Sequence, residues 1–166
     1  MDTQFRMNEN LEILETGGDW DTFAKANGGE KATSDAVIGT SLLSHVAGDQ
    51  VKMYVRALFQ NALLSGQPIT RPYRCDSPEL RRDMELLITT EANGTLLVQH
   101  TLLNERPLPH RLNLMPDLSN RRYAKRCSMC AFILLDGIWN DPAELDASCD
   151  LHVYFGVCDR CRGHRS

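Results

Sequence analysis

No apolar run in the 166-residue chain approaches about 18 residues, so no helix long enough to cross a membrane is expected. The opening stretch MDTQFRMNEN has no apolar core and carries acids, which does not fit a secretory signal. A cytoplasmic setting with reduced thiols is therefore expected, and it favours metal ligation over disulfides. A basic excess is missing too: the net charge of −4 argues against a general nucleic-acid surface. There is no internal repeat and no low-complexity segment. No P-loop, dinucleotide fingerprint, Ser-His-Asp set or paired-carboxylate frame appears, so no enzymatic activity is expected.

What is present fits one domain with a small appendage. The most informative feature lies near the end, where CSMC (Cys127 and Cys130) is followed by CDRC (Cys158 and Cys161). Two CxxC knuckles supply the four thiolates of a closed tetrahedral zinc site, each knuckle turning two sulfurs toward one ion. The 27 residues between Cys130 and Cys158 are enough for a strand or helical excursion that brings the second knuckle back. Two alternatives stay open, a pair of local disulfides and a redox-active dithiol. A CxxC disulfide closes so small a loop that it gains little by the loop-entropy account.

The periodicity of the rest predicts an α+β fold. Leu11, Ile13 and Leu14 suggest a strand ended by Gly17 and Gly18. Trp20, Phe23, Ala24 and Asn27 recur at helical spacing, with Asp19 as N-cap and Gly28-Gly29 as terminator. Residues 37–43 read as a turn into another short helix. The clearest helix follows Asp49, with Val51, Tyr54, Val55, Leu58, Phe59 and Ala62 in one apolar stripe and Gly66 as the stop. The period then changes to two. Ile69, Tyr73 and Cys75 belong to a strand that Pro72 confines to an edge or a bulge. Met84, Leu86 and Ile88 alternate with polar neighbours up to an Asn93-Gly94 turn, and Leu96, Val98, His100 and Leu102 line the return strand. Three segments result: a domain over residues 10–110, a linker over 111–122 and a CxxC…CxxC tail over 123–166.

These segments resemble the PAS fold, and in detail a bacterial PAS-like family. WDTFAKANGG at residues 20–29 resembles the W-x-x-F-A-x-x-N-G helix that opens such domains. VIGTSLLSHVAGDQVKMYVRALFQNALLSGQPI is similar to the family's G-x-x-L turn and central helix. YRCDSPELRRDMELLITTEANGTLLVQHTLLNERP resembles its three-strand sheet, with R-C-D-S-P-x-x-R-R-x-M intact. Thr89-Thr90 departs from a proline common in relatives. The tail is similar to a cysteine-rich extension that follows PAS modules in bacterial signalling proteins: Cys127-Ser128-Met129-Cys130, then Trp139, then Phe155-Gly156-Val157-Cys158-Asp159-Arg160-Cys161. The resemblance implies a PAS-like antiparallel sheet covered by short helices, plus a small zinc-knuckle element. It also implies a non-enzymatic sensing or protein-interaction module in signal transduction. With no output domain in view, such a module acts through a protein partner or as a homodimer, using the sheet face and N-terminal segment.

Individual residues carry competing readings. Trp20, Phe23, Tyr54, Phe59, Tyr73, Met84 and His100 are candidates to line a small-molecule pocket, or simply fill the core. His45 and His100 are formal haem ligands, but neither sits in an attachment motif, so haem is disfavoured. Flavin is disfavoured as well, since Cys75 reads as a small strand hydrophobe. Asp76 caps a turn, while Arg81 and Arg82 read as surface ion pairs worth less than about 1 kcal/mol. Cys149, His152 and His164 are reserve ligands near the knuckles. Arg121, Arg122, Lys125 and Arg126 read as a solvated linker. With Arg160, Arg162 and Arg165 they offer a weaker alternative, zinc-ribbon binding to nucleic acid.

Overall fold

The structure, a computed structural model, describes residues 2–116, 124–145 and 149–163. Its strands are β1 (Asp2–Met7), β2 (Ile13–Gly18), β3 (Ile69–Arg74), β4 (Leu80–Thr90), β5 (Leu96–Pro107), β6 (Leu112–Pro116), β7 (Ala124–Cys127), β8 (Ile133–Leu135), β9 (Ile138–Asn140) and β10 (Cys149–Gly156). The helices are α1 (Trp20–Ala26), α2 (Ser34–Val37), α3 (Asp49–Ser65) and α4 (Asp159–Arg162). Together they make an α+β protein. None of the described helices is long and apolar enough to cross a membrane.

Two compact units divide the chain. The first comprises Met1–Val46, Val55–Pro72 and Met84–Leu103; the second comprises Ala47–Tyr54, Tyr73–Asp83 and Asn104–Ser166. The second unit thus takes in more than the expected tail. Backbone bonds tie its pieces together: Arg74 N–H donates to the Met129 carbonyl (2.7 Å), Leu108 N–H to Glu79 (2.8 Å) and Leu112 N–H to Pro78 (2.8 Å). Residues 112–116, expected in a linker, form β6, and the rest of that expected linker, from 117 on, lies outside the described residues.

Alternation builds the first unit. Side chains of a strand point to opposite faces in turn, so one face of β4 and β5 collects Met84, Leu86, Ile88, Leu96 and Val98, all buried. Gly94 holds the joining turn at φ +81°, a backbone angle that glycine reaches without strain. The sheet order is β2-β1-β5-β4-β3, with β1 antiparallel to both β2 and β5. Pro72 therefore sits on an edge strand, where its missing N–H costs no ladder bond.

Several local expectations change. β1 was not expected, because DTQFRM offers only Phe5 and Met7 as inward residues; both are buried once β5 pairs beside them. β2 runs through Gly17 and Gly18 instead of stopping before them, and Leu11 precedes it at φ 61°. Asp19 occupies the N-cap position of α1, but its carboxylate accepts the Asp2 N–H (3.3 Å) and caps nothing. In the predicted stripe of α3, Leu58, Phe59 and Ala62 are buried in the first unit and Val51 in the second, while Tyr54 and Val55 are half-buried. Cys75 lies just past the end of β3.

The second unit is a mixed sheet of order β6-β10-β7-β8-β9. β10 is parallel to β6 and β7, whereas β8 is antiparallel to β7 and β9. One apolar cluster of this unit comprises Leu112, Ala124, Ile133 and Val153, with Leu114, Leu135, Leu145, Leu151 and Phe155 packed around them, and Val51, Ala131 and Val157 are buried as well. An Asp136-Gly137 turn with both residues at positive φ (48° and 83°) closes the β8–β9 hairpin. Asp-Gly is a strong signal for that turn type.

Candidate metal centre

Parallel pairing of β7 and β10 creates the site. Gly156 is in register with Cys127, so both strands finish level and each runs straight into its CxxC turn. At the first turn Ser128 N–H donates to the Gly156 carbonyl (2.8 Å), Cys127 N–H to Phe132 (2.9 Å) and Ala131 N–H to Cys127 (2.9 Å). Ala131 takes φ 64° to complete the reversal. At the second turn Cys158 precedes α4, and its carbonyl accepts the Arg162 N–H (3.0 Å).

The four sulfurs of Cys127, Cys130, Cys158 and Cys161 all lie within 4.8 Å of one another, and Cys130 Sγ is 3.8 Å from Cys158 Sγ. A tetrahedral ion with metal–sulfur bonds of about 2.3 Å sets its sulfurs about 3.8 Å apart. A disulfide needs about 2.05 Å, and all four cysteines are free thiols. The four sulfurs are therefore not joined in local disulfides. Converging as they do, they form a soft donor set that suits a closed zinc site.

Electrostatics points the same way. Cys158 N–H donates to Cys127 Sγ (3.4 Å), while Cys130 N–H also serves Cys127 and Phe132 N–H serves Cys130. Hydrogen bonds from the Cys130 and Cys161 thiols, then from those amides, hold the Cys127 thiol well below the ordinary range. The same neighbours push Cys161 upward, because its thiolate would form against charge already present. The two directions describe one shared proton inventory. Without a cation the cluster cannot ionise fully, and a divalent ion supplies that missing charge. Arg160 hydrogen-bonds the Cys130 sulfur and lies over the Phe132 ring at 5.0 Å from its centroid. Cys130, Phe132, Trp139, Cys158, Asp159 and Arg160 line a cleft of about 410 Å³ beside the sulfurs.

Of the reserve ligands, His152 does not join this cluster and lies four residues short of Gly156; Cys149 begins β10 but its side chain, like His164, lies outside what the structure describes. The basic stretch needs a correction. Lys125 and Arg126 are half-buried members of β7 instead of a solvated linker, because β7 is interior to its sheet. Arg160 and Arg162 are exposed, whereas Arg121, Arg122 and Arg165 lie outside the described residues.

Seven residues were candidates for a small-molecule pocket. In the first unit, Phe59 and Met84 are buried in the core. Phe5, not singled out in the sequence, joins two of the others: its ring meets Trp20 edge-on at 5.7 Å and stacks on His100 at 5.9 Å. The Trp20 Nε1–H donates to the Ala32 carbonyl (2.8 Å), and Phe23 is half-buried. Tyr54 and Tyr73 belong to the second unit, where burial pushes the Tyr73 hydroxyl above its ordinary pKa. None of the seven lines either described cavity. His45 is exposed and shares a hydrogen bond with Thr40 Oγ1 (2.6 Å).

Sequence reasoning also missed a buried ion network in the second unit. Arg74 bridges Asp76 and Asp141 (2.8 Å to the latter), and Arg81 bridges Asp141 (3.1 Å) and Asp83 (2.9 Å). Arg82 pairs with Glu105 at 2.6 Å. Asp76 does cap its turn, accepting the Arg82 N–H at 3.2 Å. Arg74 and Asp76 are almost wholly enclosed, whereas the Arg81–Asp83 pair is partly exposed and the Glu105 that meets Arg82 is exposed, so only the Arg74 centre of the network is buried on both sides. Asp141 lies far along the chain from both, and no local signal joins them.

No family model matches the chain, and no curated protein does. Among solved structures it is similar to a domain of an HTR-like protein from Haloarcula marismortui, at 14% identity and a TM-score of 0.39, covering 62% of this chain and 98% of that one. It is also similar to a domain of a sensory box sensor histidine kinase/response regulator from Geobacter sulfurreducens, at 17% identity and a TM-score of 0.42, covering 60% and 81%. At these values neither likeness assigns an activity.

Proposed function

We propose that the chain is a non-enzymatic signalling module, a PAS-like sensing or protein-interaction unit joined to a unit built around one structural zinc ion. The observation that carries the metal half is the set of four sulfurs within 4.8 Å of one another, one pair at the 3.8 Å expected of a tetrahedral site. The signalling half rests on the sequence resemblance over residues 10–107 and on an antiparallel sheet accompanied by short helices, as that resemblance requires. Cys127, Cys130, Cys158 and Cys161 would hold the ion between the ends of β7 and β10, and a site closed by four protein thiolates would leave no position for a substrate.

Output passes through contact with a protein partner or a second copy of the chain. Leu14 and Leu103 are exposed in the first unit, each an odd number of positions from a buried residue of its own strand, so both point away from the core face. A reducing compartment keeps the thiols available to the metal. Native mass spectrometry of protein purified without added metal tests both halves. One zinc per chain and a mass of one or two chains are expected. Metal-free protein with rapid, Cys127-dependent disulfide reduction would instead establish the thiol redox alternative.

A further inference from the structure

The second unit contains a cavity of about 180 Å³, and it is separate from the cleft beside the sulfurs. Its walls are mostly apolar: Pro78, Leu108, Leu112, Leu114 and Pro142. Three polar side chains complete it, Asp76, Ser77 and Arg126. Arg126 Nε is fully buried and has no hydrogen-bond partner among the described residues. A buried donor left unmade is costly, and more so when it carries charge.

Nearby acids do not relieve it. Asp76 accepts from Arg74 and from the Arg82 amide, Asp141 from Arg74 and Arg81, Asp83 from Arg81, and Glu105 from Arg82. Asp76 attracts Arg126 through space, but no acid of this cluster accepts a hydrogen bond from its Nε. Ser77 Oγ accepts the Leu80 N–H (3.1 Å), which leaves its own proton free to donate. The cavity is therefore lined by a guanidinium with an unused Nε–H and by a hydroxyl donor, among apolar walls. A guanidinium fork matches a carboxylate with two parallel hydrogen bonds. The volume holds about six water equivalents at roughly 30 Å³ each, well short of the 300 Å³ or so of pockets for larger ligands.

We propose that this cavity binds a short-chain aliphatic monocarboxylate, its carboxylate on Arg126 and Ser77 and its alkyl chain against Leu108, Leu112 and Leu114. Inorganic phosphate offers nothing to the leucines and binds less well. None of the four cysteines lines the cavity, although Arg126 is the neighbour of Cys127 in β7.

Butyrate is the probe, titrated by calorimetry into the full metal-loaded chain, with the Arg126 Nε–H resonance followed by NMR. Saturable one-to-one binding that moves this resonance is expected. Absence of saturation, or an unmoved Arg126 resonance, overturns the proposal. Arg126→Met should weaken butyrate binding at least tenfold with metal content unchanged; undiminished affinity overturns it. If that variant does not fold, Leu114→Phe, which fills the cavity and keeps the cation, must abolish binding. Phosphate competing as strongly as butyrate at equal concentration overturns the carboxylate assignment in favour of a general anion site.

Discussion

Removing the metal should unfold the second sheet and leave the first unit standing. Among the described residues, the second unit buries five large aliphatic side chains, Val51, Leu112, Ile133, Val153 and Val157. At about 1.5–3 kcal/mol each, they contribute roughly 8–15 kcal/mol of gross burial, most of which the conformational entropy of ordering the unit offsets. A structural zinc ion contributes on the order of 10 kcal/mol, comparable with all of that burial, so the net stability of the sheet leaves with the ion. The first unit keeps Met7, Ile13, Ile88, Leu96 and Val98, all fully enclosed and remote in sequence from the thiols. Hydrogen exchange during titration with a chelator reads both units at once. Amides of β7, β8 and β10 should lose protection in step with release of one equivalent of zinc, while those of β4 and β5 around Ile88 and Val98 stay protected. Protection of β7 and β10 that survived complete removal of metal would refute the reasoning, because the apolar core would then suffice.

Val98→Asp should prevent folding of the first unit and Leu86→Ala should cost about 2–5 kcal/mol, while exposed Lys31→Ala leaves the melting temperature unchanged; chemical and thermal denaturation of the three variants measure this. Asp141→Asn should destabilise by about 3–5 kcal/mol, because it strips a shared acceptor from buried Arg74 and from Arg81, and a denaturation midpoint no different from wild type would count against the network. Burial of His100 against Phe5 lowers its pKa from 6.5 to about 4, so the unfolded chain takes up the proton first as pH falls. Stability should therefore decline between pH 6.5 and 4, by about 3 kcal/mol for such a shift, and His100→Phe should flatten that part of the stability–pH curve.

The local patterns were legible because each depends on neighbours in sequence. A helix repeats every 3.6 residues and a strand every two, so Leu58, Phe59 and Ala62 declared one face of α3, and Met84, Leu86 and Ile88 one face of β4. Two CxxC pairs likewise named their four sulfurs, because the knuckle geometry lies within four residues. Tertiary structure decided what depends on distant partners. β1 exists because β5 lies beside it, since DTQFRM has too few apolar residues to announce a strand. The parallel pairing of β7 with β10 cannot be read from either segment, yet it sets Gly156 against Cys127 and closes the thiol cluster. Arg74 and Asp141 are 67 positions apart, and only folding removes both from water and makes each the other's counter-ion. Arg126 shows the same limit from the other side. A run of basic residues reads as solvated, and it is an interior strand that buries one of them against a cavity. Charge can be counted along a chain, but its solvation depends on what packs around it.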